Sequence, residues 1–468
     1  MTTIKRKTTL FYFICILIFI VFNCFHRMIN LTGSINNTEL ILARANELYF
    51  ILKGNSRKDT LFKSNEILAD KLFLKAFSLL PNGGRILIEN GVYSIEKSIH
   101  LKSNISILGA DTSAVVQKIT KGSLIRGKAV QNTSIKNLKL ISNHVNEGVG
   151  ILLDGKSIKN RIDRIIIDGF RGDGINFNGR DCQNNEIRNC IIRNCLGAGI
   201  AIYGQAGNVE ITNNKISKTQ IHGVIISGGS NCLIKDNYIE NTGFFRPNVS
   251  KKYFCHGIAI DGASGKKPCT DEVIVGNVIL NSGSAGIEVA DGVSNVTIRN
   301  NYVDGTGKKA PFDQYGIYFG GSYRSGTRAE IVNNTVKNCL WEGIRVDNNH
   351  GKGAPTQFVR VDSNKVFNTV RDGIKIGFTK DVSVSSNEIT GSESNGIAVK
   401  GLSNMYAKKV TISNNIVLKS KLFGVYINFT DSISLKNNDL CGNLKGAFKI
   451  EKEAVRNINM EKNKCVQK

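Results

Sequence analysis

Residues 211–227, Ile-Thr-Asn-Asn-Lys-Ile-Ser-Lys-Thr-Gln-Ile-His-Gly-Val-Ile-Ile-Ser, carry the pattern that decides the fold. Apolar residues stand three before Asn214 and two after it; Thr219 follows five after it, and Gly223 opens Val-Ile-Ile nine after it. Short apolar alternations broken at Asn and Gly read as strands joined by tight turns. The unit recurs, with Asn at 237, 277, 301, 334, 364, 387, 415 and 438, and with Cys190 in the equivalent place upstream. A Gly-Ile or Gly-Val element alternates with it, at Gly174, Gly199, Gly223, Gly257, Gly286, Gly316, Gly343, Gly373, Gly396 and Gly424.

Two or three short strands per repeat of roughly 22 to 30 residues predict a coil whose rungs stack in parallel, about 4.8 Å apart. The Asn side chains are expected to form a structural ladder, their amides bonding rung to rung and their backbones taking the left-handed turn. Cys190, Cys195 and Cys339 fall in these inward columns and read as packing residues. Composition agrees: 468 residues with 47 Gly, 5 Pro and 1 Trp suit a long repeat domain better than a helical enzyme.

The pattern resembles the right-handed parallel β-helix of the pectate-lyase-like superfamily over residues 83–466. The segments Asp70–Pro81 and Gly83–Asp111 resemble the opening of many such enzymes, an amphipathic helix followed by a Gly-Gly strand pair. The expectation is an all-β, single-stranded right-handed parallel β-helix over 83–468, of about 12 or more rungs. A capping helix at 65–82 and a tether with a helical portion at 26–64 would precede it.

Lys5-Arg6-Lys7 stands before an apolar run at 10–22, so residues 1–25 read as a signal anchor or signal peptide. Counted as 8–25 the run reaches membrane-spanning length, which favours an anchor and an extracytoplasmic protein. The net charge of +24 suits a polyanionic partner. With no helix-turn-helix, zinc finger or basic region, an acidic polysaccharide is favoured over nucleic acid. Nine Cys lie beyond the apolar run, an odd number that argues against a complete disulfide framework, and no CxxC pair marks a metal site.

The candidate site is where the repeat breaks. The Asn-to-Gly interval is nine residues at most rungs but twenty at 237→257 and fifteen at 301→316. Return intervals lengthen at 257→277, 316→334, 343→364 and 396→415, and such loops on a rigid scaffold are where catalysis usually sits. The outward column of the Gly-Ile strands reads Ala201, Ile225, Ala259, Glu288, Tyr318, Arg345, Lys375, Ala398: four functional side chains bounded by inert ones. Flanking columns add Asp261 and Asp347, and His222, His256, Tyr315, Glu342 and Asp372, with Trp341 in a loop.

Proton abstraction at C5 of a uronic acid needs a cation against the sugar carboxylate and a base beside the proton. Arg345 and Lys375 suit the first role, and Tyr318 or His256 the acid and base roles, with Glu288 orienting them. Asp261, Asp347, Tyr315, Glu342, Trp341 and Asp372 would bind substrate. The predicted activity is a β-eliminative lyase or a C5-epimerase. No metal cluster is read, and a calcium requirement is left open. A glycoside hydrolase, which needs two carboxylates across the scissile bond, is the alternative. Residues 255–262, Cys-His-Gly-Ile-Ala-Ile-Asp-Gly, resemble the Gly-His-Gly segment of polygalacturonases, and Gly343-Ile-Arg-Val346 their Arg-Ile-Lys segment; the Asn-Thr-Asp and paired-Asp motifs are missing. A non-catalytic polysaccharide-binding or assembly coil is the third class.

Overall fold

The structure, a computed structural model, describes residues 39–465 except 46–47, 55, 144–146, 245–253, 263–268, 308, 310–312, 322–323 and 349–352. The expected anchor, the first part of the tether and the tips of most insertions lie outside these residues. No helix among the described residues is long and apolar enough to cross a membrane.

The described chain forms three sheets of 18, 13 and 14 strands, and from Gly84 onward it winds through them as about 14 turns of a parallel β-solenoid. One rung shows how. Gly207–Thr212 lies in the first sheet, Lys215–Thr219 in the second and Val224–Ser227 in the third, each in parallel register with the rungs before and after. The alternating Ile and Val side chains point inward and form one continuous core along the coil. Cys190, Cys195 and Cys339 are buried in it, and burial pushes the Cys190 and Cys339 thiols up to about 12. Seven described cysteines are buried and outside any disulfide; Cys441 and Cys465 form one.

The Asn column is a ladder. Asn214 donates from its amide to Asn237 Oδ1 at 3.0 Å, Asn237 to Asn277 at 2.9 Å, and the chain of bonds continues through Asn301, Asn334, Asn364, Asn387, Asn415 and Asn438 to Asn463. Each ladder oxygen also accepts a backbone N–H from the neighbouring rung, as Asn334 does from Asn301. The left-handed residue, however, is the one before each ladder Asn: Asn213, Asp236, Asn300, Asn333, Ser363 and Asn414. The ladder amide is spent on its neighbours, and the turn falls to the preceding residue.

Residues 39–64 depart from the expected helical tether. They form three strands, β1 (Glu39–Ala45), β2 (Leu48–Lys53) and β3 (Ser56–Ser64). β1 pairs in parallel with Gly84–Ile88, and β2 and β3 follow antiparallel. The physical reason is the edge of the first rung, whose unpaired backbone takes up the continuous apolar run Leu40-Ile41-Leu42. Helix α1 (Asp70–Leu79) buries Leu72, Phe73, Ala76 and Phe77 in the common core.

Candidate active site

The outward column of the third sheet is continuous in register. Glu288 pairs with Tyr318, Tyr318 with Arg345 and Arg345 with Lys375, while Ala259 and Ala398 bound the run. Stacked rungs bring residues some 30 positions apart in sequence to adjacent places on one face.

Three rungs are joined by hydrogen bonds. Asp347 Oδ2 accepts from Arg345 Nη2 at 2.7 Å, and its Oδ1 accepts the Phe378 N–H at 2.8 Å. Arg345 Nη1 donates to the Tyr315 hydroxyl at 2.8 Å, and that residue's side chain bonds Asp313. Arg345 is 8% exposed, so its charge is committed to Asp347 and Tyr315. Asp313 ends the chain of bonds. Burial, then the nearby Glu288 charge, push its carboxyl up to about 6, against attraction from Arg345 and the bond from Tyr315.

His256 Nδ1 accepts the Ala285 N–H at 3.1 Å, which leaves the proton of the neutral ring on Nε2. That nitrogen lies 2.7 Å from Glu288 Oε2, an approach angled away from hydrogen-bond geometry. The ring is buried between His222 and Phe254, with centroids 5.2 and 5.5 Å away. Its Nε2 edge is turned toward Glu288.

His256 belongs to a second ladder that the column reading did not foresee. Asp173, His222, His256, Asp372 and Asn395 occupy the position before the rung glycine, and each accepts the backbone N–H of the next rung through its side chain. Asp372 is thereby structural; it also takes the Asn395 amide at 2.8 Å and Lys400 at 2.7 Å. Between His256 and Asp372 this column holds Ala285, Tyr315 and Glu342, the rungs beside the polar run.

Tyr318 is 2% exposed, and its hydroxyl lies 3.4 Å from the Gly321 and Asp347 carbonyls. Burial, with the Asp347 charge behind it, pushes the phenol well up, against the acid–base role expected of it. Tyr315 stacks on Tyr318 and meets Trp341 edge-on, and the Arg371 guanidinium lies 3.9 Å above the indole. Glu342 is buried, with Oε2 lacking a hydrogen-bond partner among the described residues and Oε1 4.0 Å from Lys375 Nζ. Desolvation, then the charge of Arg345, lower the Lys375 amine. Asp261 pairs with Ala290, one rung before Glu288 and farther along the strand. Among the described residues no three His, Cys, Asp or Glu are grouped to hold a metal.

Column reasoning missed Asp313, which sits in no strand. Its signals are its place in the long 301→316 interval and its position two residues before Tyr315. Chemically, the face offers two interacting carboxyl groups, Glu288 and Asp313, with Lys375 three rungs farther along the same column.

The arrangement can be set beside known proteins. Tailspike protein 2 of the Escherichia coli O157:H7 bacteriophage CAB120 is similar at TM-score 0.50 and 15% identity, over 75% of this chain and 46% of that one. The mannuronan C-5 epimerase AlgE6 A-module of Azotobacter vinelandii is similar at TM-score 0.44 and 14% identity, covering 83% and 92%. The GH87 α-1,3-glucanase catalytic unit of Streptomyces thermodiastaticus gives TM-score 0.45 and 14% identity, covering 85% and 66%. These likenesses concern the fold. No curated protein matches the sequence. The sequence model of the right-handed β-helix region matches residues 123–303 and 315–467. With that match over most of its length, on a coil of three parallel sheets, the chain belongs to the right-handed β-helix family.

Proposed function

We propose that the chain is a polysaccharide-acting enzyme that cleaves a glycosidic bond by acid–base catalysis, with Asp313 as the acid and Glu288 as the base or nucleophile. The observation that carries this is the unequal pair. Asp313, raised to about 6, keeps a protonated fraction near neutral pH, and the Glu288 charge that helps to raise it lies beside His256 Nε2. Environments that push two carboxyl groups apart are how one site holds an acid and a base together. Tyr315, Arg345 and Asp347 position the acid. Trp341, which is only partly buried, would meet the sugar at the edge of this face. The charge of +24 favours an acidic glycan. Residues 8–25 would hold the protein outside the membrane, a reading supported by the basic residues ahead of the apolar run.

A second reading keeps proton abstraction at C5 of a uronic acid, giving a lyase or an epimerase. Lys375 favours it: its lowered amine is 19% exposed and only 4.0 Å from its nearest carboxylate, free to face a sugar carboxylate. The full chain, incubated with polygalacturonate, alginate and neutral glucans, separates the readings. Saturated reducing ends indicate the hydrolase, ultraviolet-absorbing unsaturated ends the lyase, and solvent deuterium uptake without cleavage the epimerase. Absence of all three across acidic and neutral glycans would overturn the enzymatic reading.

A further inference from the structure

The end of the coil nearest the chain's start carries a second cavity, far from the polar column. It has a volume of about 510 Å³ and opens between α1 and the strands Gly91–Ile95 and Ile99–His100. Its apolar wall is Phe73, Leu74, Phe77, Ile95 and Ile99. Four amines, Lys97, Lys102, Lys118 and Lys121, ring it.

Lys118 is 2% exposed, and its ammonium donates to the Glu96 carbonyl and to Thr120 Oγ1. Among the described residues it has no carboxylate in contact. Asp70 and Glu96 also border the cavity, but Asp70 is occupied by the backbone N–H groups of Glu96 and Lys97, at 3.0 and 2.6 Å. A buried ammonium without an ion partner is costly unless an anion reaches it.

Leu74, which lines the cavity, is 61% exposed, and on the same stretch of chain Ile67 is 89% exposed and Leu61 and Leu79 are exposed too. Leu74 lies between Lys71 and Lys75 on the outer face of α1. Exposed apolar side chains on a helix and its leading segment, beside an apolar cavity ringed by amines, have the character of a membrane-contacting face.

Chain length places this end. Thirteen residues separate the apolar run from Glu39, which span at most about 45 Å when extended. β1 then runs directly beside the first strand of the coil. An anchor at 8–25 therefore holds this end, and not the other, close to the bilayer.

We propose that this end of the solenoid docks on an anionic bilayer, taking a phospholipid with its phosphate among the four lysines and an acyl chain against Phe73, Leu74 and Phe77. This rests on the reading of residues 8–25 as an anchor. Docking would hold the coil against the membrane and fix where the polar column stands relative to it.

The test is amide hydrogen exchange of the full chain in nanodiscs of phosphatidylcholine alone or mixed with phosphatidylglycerol. Residues 70–80 and 95–102 should exchange severalfold more slowly with phosphatidylglycerol, and Lys97→Gln combined with Lys121→Gln should abolish the difference while the coil core stays protected. Equal exchange in both lipids overturns the proposal. So does equal protection by free inorganic phosphate without lipid, which would make the cavity a simple anion site. If the chain does not enter discs, the anchor reading fails. Flotation of the same chain with phosphatidylglycerol vesicles then decides the docking: binding lost in the double lysine variant supports it, and no binding overturns it.

Discussion

Asp313 and Tyr315 carry the finest-grained consequence. As a general acid Asp313 must hold its proton, so kcat/KM should fall as pH rises through about 6. The bond from Tyr315 stabilises the carboxylate and holds that value down. Tyr315→Phe should therefore move the falling limb to higher pH, and a pH–rate profile with an unmoved limb would remove Tyr315 from the positioning chain. At this scale the sequence was partly legible. Glu288, Tyr318, Arg345 and Lys375 could be aligned because strand side chains alternate with period two and the rungs keep register. Asp313 could not, since a loop has no period to align. Nor could the burial of Tyr318 or the backbone bonds of His256, which depend on how neighbouring rungs close over them.

Among elements, the ladder turns bear the strongest constraint. Asn334 is fully buried; its amide donates to the Ile298 carbonyl and to Asn364, and its oxygen accepts the Asn301 backbone and amide. Asn334→Ala would strand these partners, and chemical denaturation should show a loss of about 3 kcal/mol or more, since each buried orphan costs about 1–3 kcal/mol. A loss below about 1 kcal/mol would mean that water replaces the amide. The rung glycines are explained by closeness rather than by left-handed backbone. A Cβ on Gly286 would lie 2.3 Å from Val303 and 2.7 Å from the Gly316 carbonyl. These columns were visible because every rung repeats them. The strands of 39–64 were not, because β1, on which β2 and β3 build, pairs with the edge of a rung more than 40 residues on, and an isolated apolar run does not reveal whether it will pair or coil.

As a whole the molecule is a stack in which each rung is stabilised by its neighbours, so a buried charge in one rung weakens the coil locally and propagates. Glu272 is such a group. It lies inside the coil beside Cys232, whose N–H reaches it at 3.2 Å, and burial pushes its carboxyl up to about 8. Below pH 4.5 folded and unfolded chains both hold the proton. Between about 4.5 and 8 only the folded chain does, so stability falls with rising pH across that window, by a few kcal/mol. Thermal melting from pH 4 to 9 should show this slope in the natural chain and a shallower one in Glu272→Gln.

The proposed chemistry rests on the carboxyl pair beside the polar column. The most direct measurement is kcat/KM of Asp313→Asn and Glu288→Gln on the glycan the natural chain converts, with Tyr318→Phe as the comparison and folding verified for each. The carboxyl variants should each lose about 10²–10⁴-fold, the usual contribution of a positioned acid or base, while Tyr318→Phe stays within about threefold. Natural rates in both carboxyl variants, with activity abolished in Tyr318→Phe, would contradict the account.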